Sequence, residues 1–481
     1  MARCLESGGV EAGRRRRRRR GSAVLRSRRV KLRIPPRIGL AAGGRLPEIL
    51  LAVLAAVLCL ADLGGGALRD WDEATYAAVA REGVESGSWA SLQLDGRLYA
   101  EKAPLVFWCM EASYRLLGVS EAAARLPSAL FGIAGVVLAY RIARRLAGRP
   151  AAQLAALVLV TAPEWLSSSR QAMLDVPLAT CLAAALLGAL EGRWPLIGIG
   201  LGAAAMVKGP AALVALPVLG VWALTGAERR RQAAKGLLLA LALAAPWHVA
   251  QIALHGDAFV AWYFGFNVVS RLSAAVEGHH GPWWFYLDYI FGWTSPWHWL
   301  GAFALAATTY RAVRARSDPG RVLVLAWFWT VLVAFTAAPT KLGWYVVPAY
   351  PALAVLTACW LAEAAPGRRW LRATVAVLAV ATPLFAFGRI VAGRMRSDDA
   401  DATRSVLLRL PPTSEAAVLF VADGLAVETA RFYAHRELRS LARGAPLPSG
   451  AWVLAASVPR ELGAATRVIA SEGSRVLLGP R

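Results

Sequence analysis

The chain is 481 residues long, 57% hydrophobic and 18% charged, with a mean hydropathy of +0.46. A soluble domain averages about 25% charged residues, so this composition at this length excludes an ordinary cytosolic enzyme and points to the bilayer. The formal charge of +23 is unevenly placed: residues 1–45 hold 15 basic and 2 acidic residues, which leaves about +10 for the other 436. Cys4, Cys59, Cys109, Cys181 and Cys359 are odd in number and lack Cys-x-x-Cys spacing, so neither a disulfide framework nor a zinc site is implied.

Residues 1–45, with the unbroken run Arg14 to Arg20 and the Pro35-Pro36 break, read as a disordered basic arm on the cytoplasmic side, because like charges at that density cannot bury a core. Its expected role is to retain the start of the first helix, unless it lies upstream of the true start. Binding of nucleic acid is not expected of it. The apolar run 46–63 reads as an uncleaved anchor rather than a signal peptide, since the basic segment before it is too long. Further runs long enough to span recur at 126–141, 151–168, 174–190, 194–207, 209–225, 236–254, 287–309, 321–338, 343–361 and 370–391, which makes eleven spans. An amino terminus inside the cell puts the basic loops Arg141 to Arg149, Arg229 to Lys235, Arg311 to Arg321 and Arg368-Arg369 all in the cytoplasm, as the positive-inside rule requires.

Two outer loops, 64–125 and 255–286, are too long to be connectors. The first holds an amphipathic stretch at Ala74 to Arg81 and the interrupted apolar run Pro104 to Leu117, which is expected to lie in the interface. The second runs into a segment rich in tryptophan (Trp283, Trp284, Trp293, Trp297, Trp299), read as a headgroup-level anchor. From 394 to 481 the pattern turns mixed. A strand at 416–421, a helix at 427–441 and a strand at 451–456 predict a small extracytoplasmic α/β domain. The spans at 46–393 are the expected catalytic domain.

Ionisable groups near a membrane's edge are energetically unfavourable, so each is a site candidate. Four clusters fall on the outer face: Asp70-Trp71-Asp72-Glu73, the segment Tyr99 to Pro104 with Glu101 and Lys102, Arg170 to Asp175, and Lys341 to Tyr345. Lys208-Gly209-Pro210 and Arg271 join them from the ends of two spans. Carboxylates converging with several cations at one interface suit a reaction on an anionic, membrane-embedded substrate. Asp70-Trp71-Asp72 also matches the Asp-x-Asp metal site of nucleotide-sugar transferases, but no soluble α/β domain precedes it here, and a divalent metal ion remains only a possibility.

Taken in order, Asp72-Glu73 with Tyr76, Tyr99-x-Glu101-Lys102-x-Pro104, Leu174-Asp175-x-Pro177-Leu178, Lys208-Gly209-Pro210 and Lys341-Leu342-x-x-Tyr345-x-x-Pro348 resemble the GT-C type integral-membrane glycosyltransferases. The resemblance is to the group of lipid A aminoarabinose transferases and protein O-mannosyltransferase-like enzymes, and it covers about 46–361. It implies an all-α polytopic membrane fold of about 11–13 transmembrane helices carrying the small carboxy-terminal domain. It also implies sugar transfer from a polyprenyl phosphate donor on the outer face of the inner membrane. By that resemblance Asp72 is the catalytic carboxylate and Asp175 the second. Lys102, Arg271, Lys208 and Tyr345 contact the donor phosphate, and Glu73, Tyr99, Glu101 and Lys341 support them. The acceptor is an envelope lipid such as lipid A, a glycan or a protein hydroxyl. Thr75 stands where the aminoarabinose branch commonly carries arginine, which bears on the sugar and not on the transfer. The rival reading, a transporter or lipid flippase, predicts charges lining a pathway, whereas here they gather at one face and no internal repeat is visible.

Overall fold

The computed structural model describes residues 46–480, apart from short segments at 276–277, 293–294, 315–317, 394–396, 412–417, 423–424, 426, 436, 443–444, 447, 449 and 458–465. The basic arm, Trp293 and the start of the expected strand at 416 lie outside the described residues.

Each of the eleven apolar runs is largely helical in its described residues, with the run 287–309 divided between two helices. Helix α1 (Leu46–Leu60) leads into the loop 64–125, the first of the two expected on the outer face, which folds as α2 (Asp72–Ser86), a hairpin of β1 (Gln93–Leu94) and β2 (Arg97–Leu98), and α3 (Leu105–Leu117). The hairpin turns on Asp95-Gly96, both at positive φ (55° and 73°), the pairing that a two-residue turn of matching twist requires. Helix α4 (Glu121–Val160) is continuous by hydrogen bonding but reverses at Gly148, where φ is 82°. Gly132 lies against Ser169 and Gly135 against Trp165 of α5 (Pro163–Ser169), so the chain after Gly148 returns alongside the chain before it. The runs 126–141 and 151–168 are therefore two spans joined by the arginine-rich turn.

The same reasoning separates the next runs. Helix α7 (Trp194–Lys208) runs antiparallel to α6 (Asp175–Glu191), with Gly200 against Cys181 and Ala185 and Gly188 against Ile197. It runs parallel to α9 (Ala227–Val260), with Gly198 against Gly236 and Leu239 and Gly202 against Leu243. The 3-10 turn 209–214 and α8 (Ala215–Ala223) between them must run back. Small residues at these crossings let backbones approach where no aqueous hydrophobic effect drives association.

After a break at Gly256 (φ 52°) the chain continues as a π-helix over 261–270 and the short α10 (Arg271–Ser273), so most of the second outer loop is helical. Then follow α11 (Phe285–Phe291), α12 (Pro296–Val313), α13 (Pro319–Ala337), a 3-10 turn 343–349 leading into α14 (Tyr350–Ala364), and α15 (Arg369–Val391). Among the described residues, six helices are long and apolar enough to cross a membrane by length and composition. Leu238, Leu241 and Val249 on α9, and Val377, Leu384 and Phe385 on α15, are exposed, an apolar exterior that suits hydrocarbon rather than water.

The carboxy-terminal region holds α16 (Asp398–Leu407), β3 (Val418–Ala422), α17 (Glu428–Ala434), β4 (Glu437–Leu441), β5 (Trp452–Ala455), β6 (Thr466–Glu472) and β7 (Arg475–Pro480). Its five strands order β4-β3-β5-β7-β6, with β4, β3 and β5 mutually parallel and β7 antiparallel to both of its neighbours, β5 and β6. The helix expected over 427–441 is a correction: it ends at Ala434, His435 takes a left-handed φ of 51°, and 437–441 pairs with β3 as a strand. Local sequence there permits a helix, but the open edge of β3 offers a full ladder of backbone partners. Helix α17 packs on α2, and the junction is polar. Thr429 N–H donates to Asp70 (3.1 Å), Ala67 N–H to Asp401 (2.6 Å), Leu68 N–H to the Tyr433 hydroxyl (3.0 Å) and Arg81 to the Phe432 carbonyl (2.5 Å).

Candidate active site

Two buried arginines shape the first outer loop. Arg170 donates to the carbonyls of Leu58 (2.9 Å) and Asp62 (3.2 Å), closing the end of α1. Arg125 donates to the carbonyls of Leu63 (3.1 Å), Gly66 (3.1 Å) and Ala67 (2.8 Å) and pairs with Glu73 at 2.7 Å, and both side chains of that pair are buried. Glu73 also accepts from the backbone of Arg69 (2.9 Å) and Ala172 (3.2 Å). These bonds fix the first turn of α2 and thereby Asp72, its first residue. Trp71, just before it, has φ 71°, a left-handed value that a bulky residue holds only where its surroundings enforce it.

Asp72 opens on a cavity of about 340 Å³. Trp71, Tyr76, Glu101 and Lys102 from the first outer loop line one side. Lys208, Tyr263, Asn267, Arg271, Trp344 and Tyr345 line the other. Lys208 pairs with the buried Asp175 at 2.6 Å and lies 5.0 Å from the centre of the Tyr345 ring. Arg271 donates to the Tyr345 hydroxyl (2.9 Å). Lys102 pairs with Glu101 at 3.5 Å and donates to Asn267 at 3.4 Å. Burial pulls the Lys102 ammonium below the ordinary lysine range, with Asp72 and Glu101 opposing that shift and Lys208 and Arg271 adding to it. Burial, reinforced by Asp72, holds the Tyr76 phenol well above its usual value, so it stays a proton donor. The result is three cations around one space, a receptacle for an anion of more than one charge.

The two carboxylates differ. Asp175 is committed to Lys208, whereas no hydrogen bond or ion pair engages the Asp72 side chain among the described residues. Of the ten residues singled out in the sequence, Asp72, Glu101, Lys102, Lys208, Arg271 and Tyr345 line the cavity, and Asp175 backs Lys208. The other three do not line it. Glu73 faces Arg125, Tyr99 packs edge-on against Phe107 at 6.1 Å, and Lys341 donates to the carbonyls of Phe335 (3.1 Å), Thr336 (2.5 Å) and Ala338 (2.5 Å) at the end of α13. Their support is architectural. Asn267 and Tyr263, which carried no sequence signal, also line the wall, as do Trp71 and Trp344 from the clusters at Asp70 to Glu73 and Lys341 to Tyr345. Among the described residues no three His, Cys, Asp or Glu side chains converge as metal ligands, and the cavity's carboxylates sit among lysines and an arginine. The residues present do not fit a divalent ion, and no step below uses one.

Residues 101–250 match the family model of dolichyl-phosphate-mannose-protein mannosyltransferases. The chain is 30% identical over 373 residues to the undecaprenyl phosphate-alpha-4-amino-4-deoxy-L-arabinose arabinosyl transferase of Pectobacterium carotovorum subsp. carotovorum, covering 72% of this chain and 66% of that one. It is 29% identical over 429 residues to an enzyme of the same name from Sodalis glossinidius, covering 85% of this chain and 71% of that one. The chain thus spans between about two thirds and seven tenths of the length of these two relatives. In fold it is similar to ArnT from Cupriavidus metallidurans bound to undecaprenyl phosphate, with a TM-score of 0.74 at 22% identity over 91% of this chain and 98% of that one. It is also similar to the oligosaccharyltransferase AglB from Archaeoglobus fulgidus, with a TM-score of 0.54 at 13% identity over 81% of this chain and 64% of that one. Helical spans, the small carboxy-terminal sheet and the ordered motifs agree with these likenesses, and the chain is of the GT-C type, in the group that holds the aminoarabinose transferases and the protein O-mannosyltransferase-like proteins.

Proposed function

We propose that this protein is a membrane glycosyltransferase that moves a sugar from a polyprenyl phosphate to an acceptor of the cell envelope, at the outer face of the inner membrane. The observation that carries the reading is the cavity in which an unengaged Asp72 faces Lys102, Lys208 and Arg271. In the proposed step the acceptor hydroxyl gives its proton to an Asp72 oxygen as its own oxygen bonds to the anomeric carbon. The bond from that carbon to the phosphate oxygen breaks, and the polyprenyl phosphate leaves with one more negative charge. The three cations offset that charge as it forms, and an aspartate within reach of the hydroxyl serves as general base. Arg271 and Tyr345, joined by their hydrogen bond, hold one edge of the phosphate, while Asp175 keeps the Lys208 ammonium in place.

Undecaprenyl phosphate is the donor lipid named for both relatives, and lipid A is the acceptor the group resemblance favours. Thr75, in place of the arginine common in the aminoarabinose branch, leaves room for a different sugar. The test is transfer by the purified full chain in nanodiscs, supplied with undecaprenyl phosphate sugars and with lipid A, glycan or peptide acceptors. Appearance of a glycosylated acceptor and free undecaprenyl phosphate supports the reading. Movement of intact lipid between leaflets without bond cleavage would replace it with a flippase.

A further inference from the structure

Lys208 is followed by Gly209, which takes φ 50° and ψ −119°, a backbone conformation open essentially to glycine. A second constraint meets at the same atom: a Cβ on Gly209 would lie 2.1 Å from the Tyr263 hydroxyl oxygen. The turn that aims Lys208 therefore rests directly on that hydroxyl. Tyr263 is 1% exposed, and its ring is held on two faces. Phe259 stacks on it at 4.8 Å and 18°, and Trp247 meets it edge-on at 6.1 Å. Trp247 is in turn tied to the first outer loop through its indole N–H, which donates to the Ala90 carbonyl (2.8 Å).

The hydroxyl itself is oriented by His248. Nδ1 of His248 lies 2.8 Å from the Ala244 carbonyl, which can only accept, so Nδ1 carries the proton. In the neutral ring Nε2 is then an acceptor, and at 2.8 Å it takes the hydrogen bond of the Tyr263 hydroxyl. The Ala244 carbonyl, the imidazole and the phenol form one directed chain ending under Gly209. Above it, the Lys208 ammonium meets Asp175 and the Tyr345 ring.

We propose that His248 and Tyr263 are positioning residues for Lys208: the hydroxyl, held by the imidazole, seats the Gly209 turn and sets where the Lys208 ammonium meets the donor phosphate. This rests on the reading of the cavity as a polyprenyl phosphate site.

The experiment measures binding of undecaprenyl phosphate, and melting temperature, for the full chain in nanodiscs. Tyr263→Phe and His248→Leu should each weaken binding about tenfold with nearly unchanged melting. His248→Gln, whose amide oxygen can accept the hydroxyl proton, should restore most of the affinity. In a Lys208→Ala background Tyr263→Phe should add little, because residues that act through one another are not additive. A tenfold effect of Tyr263→Phe that persists without Lys208 would overturn the proposal, since the hydroxyl would then touch the ligand itself. Lower melting with unchanged affinity in Tyr263→Phe would reduce the pair to a packing role and overturn it as well. Wild-type protein that fails to bind undecaprenyl phosphate would sink the donor reading and this one together, whereas normal wild-type binding with all variants unchanged would sink this one alone.

Discussion

The two outer loops build opposite walls of one cavity by different means. In the first, eight of the fifteen residues of α2 are buried, including Glu73, and the helix is clamped by Arg125 and covered by α17. In the second, Tyr263 is the buried residue of the ten-residue π-helix 261–270, and that wall leans on a few polar contacts, Arg271 to Tyr345 and Lys102 to Asn267. A π-helix is uncommon and clusters at functional sites. The carboxylate thus stands on the wall that packing makes rigid. Of the three cations proposed to bind phosphate, Arg271 stands on the wall whose contacts a bound anion can replace. Donor binding and acceptor deprotonation are therefore expected to respond separately to mutation.

The largest expected effect comes from removing the proposed base on the rigid wall. Asp72→Asn keeps the shape of the first turn of α2 and should lower transfer by about 10²- to 10⁴-fold while undecaprenyl phosphate still binds. Near-normal transfer would leave Asp72 as a helix-end residue only, since Asn serves that role equally well.

Next is the clamp itself. Arg125→Met leaves the buried Glu73 without its cation and the carbonyls of Leu63, Gly66 and Ala67 without their donor, so stability should fall by roughly 3–5 kcal/mol, read as an earlier melting transition in detergent. If melting is unchanged, the first wall is not held in the way its geometry indicates. By contrast, Arg271→Ala on the second wall should leave melting close to wild type and weaken undecaprenyl phosphate binding about 10- to 100-fold, the worth of a charge-assisted hydrogen bond. Equal loss of melting in both variants would erase the contrast between the walls.

A smaller, graded effect concerns pH. Burial lowers the Lys102 pKa, so the folded, empty site gives up this proton at a lower pH than an ordinary lysine does. Donor affinity that depends on the ammonium should therefore be full below that lowered value and decline as pH rises through it. Lys102→Arg, which stays charged, should hold its affinity to higher pH, and titration of binding against pH for both proteins checks the sign. The smallest effect is expected at the cover of the first wall. Thr429→Ala removes the hydroxyl that donates to the Leu68 carbonyl at 3.1 Å, which should lower stability by about 1 kcal/mol and transfer only slightly.

Which of these residues could be read from the chain follows from the range of the forces involved. Apolar runs of bilayer length and the basic residues between them are local signals, and local periodicity is enough to mark the stretches that become helices; the Asp95-Gly96 hairpin and the turn at Gly209 were not read from the sequence. Asp72, Lys102, Asp175 and Lys208 stood out in sequence as charges placed where hydrocarbon makes them unfavourable without a function, whereas Tyr345 was marked only by the ordered family resemblance. Tertiary structure decided the rest. Glu73 and Lys341 carry the same charges as the cavity residues, yet the first turned to a buried arginine and the second to three carbonyls, because a charge in a low-dielectric interior takes the nearest partner that satisfies it. Asn267, Tyr263 and His248 have no pattern in sequence; only the packing of α9 and the π-helix after it brings Asn267 to Lys102 and the Tyr263 hydroxyl, bonded to His248, against Gly209. The strand at 437–441 was settled by the open edge of β3, since hydrogen bonds to a partner distant in sequence outweigh a weak local preference for helix.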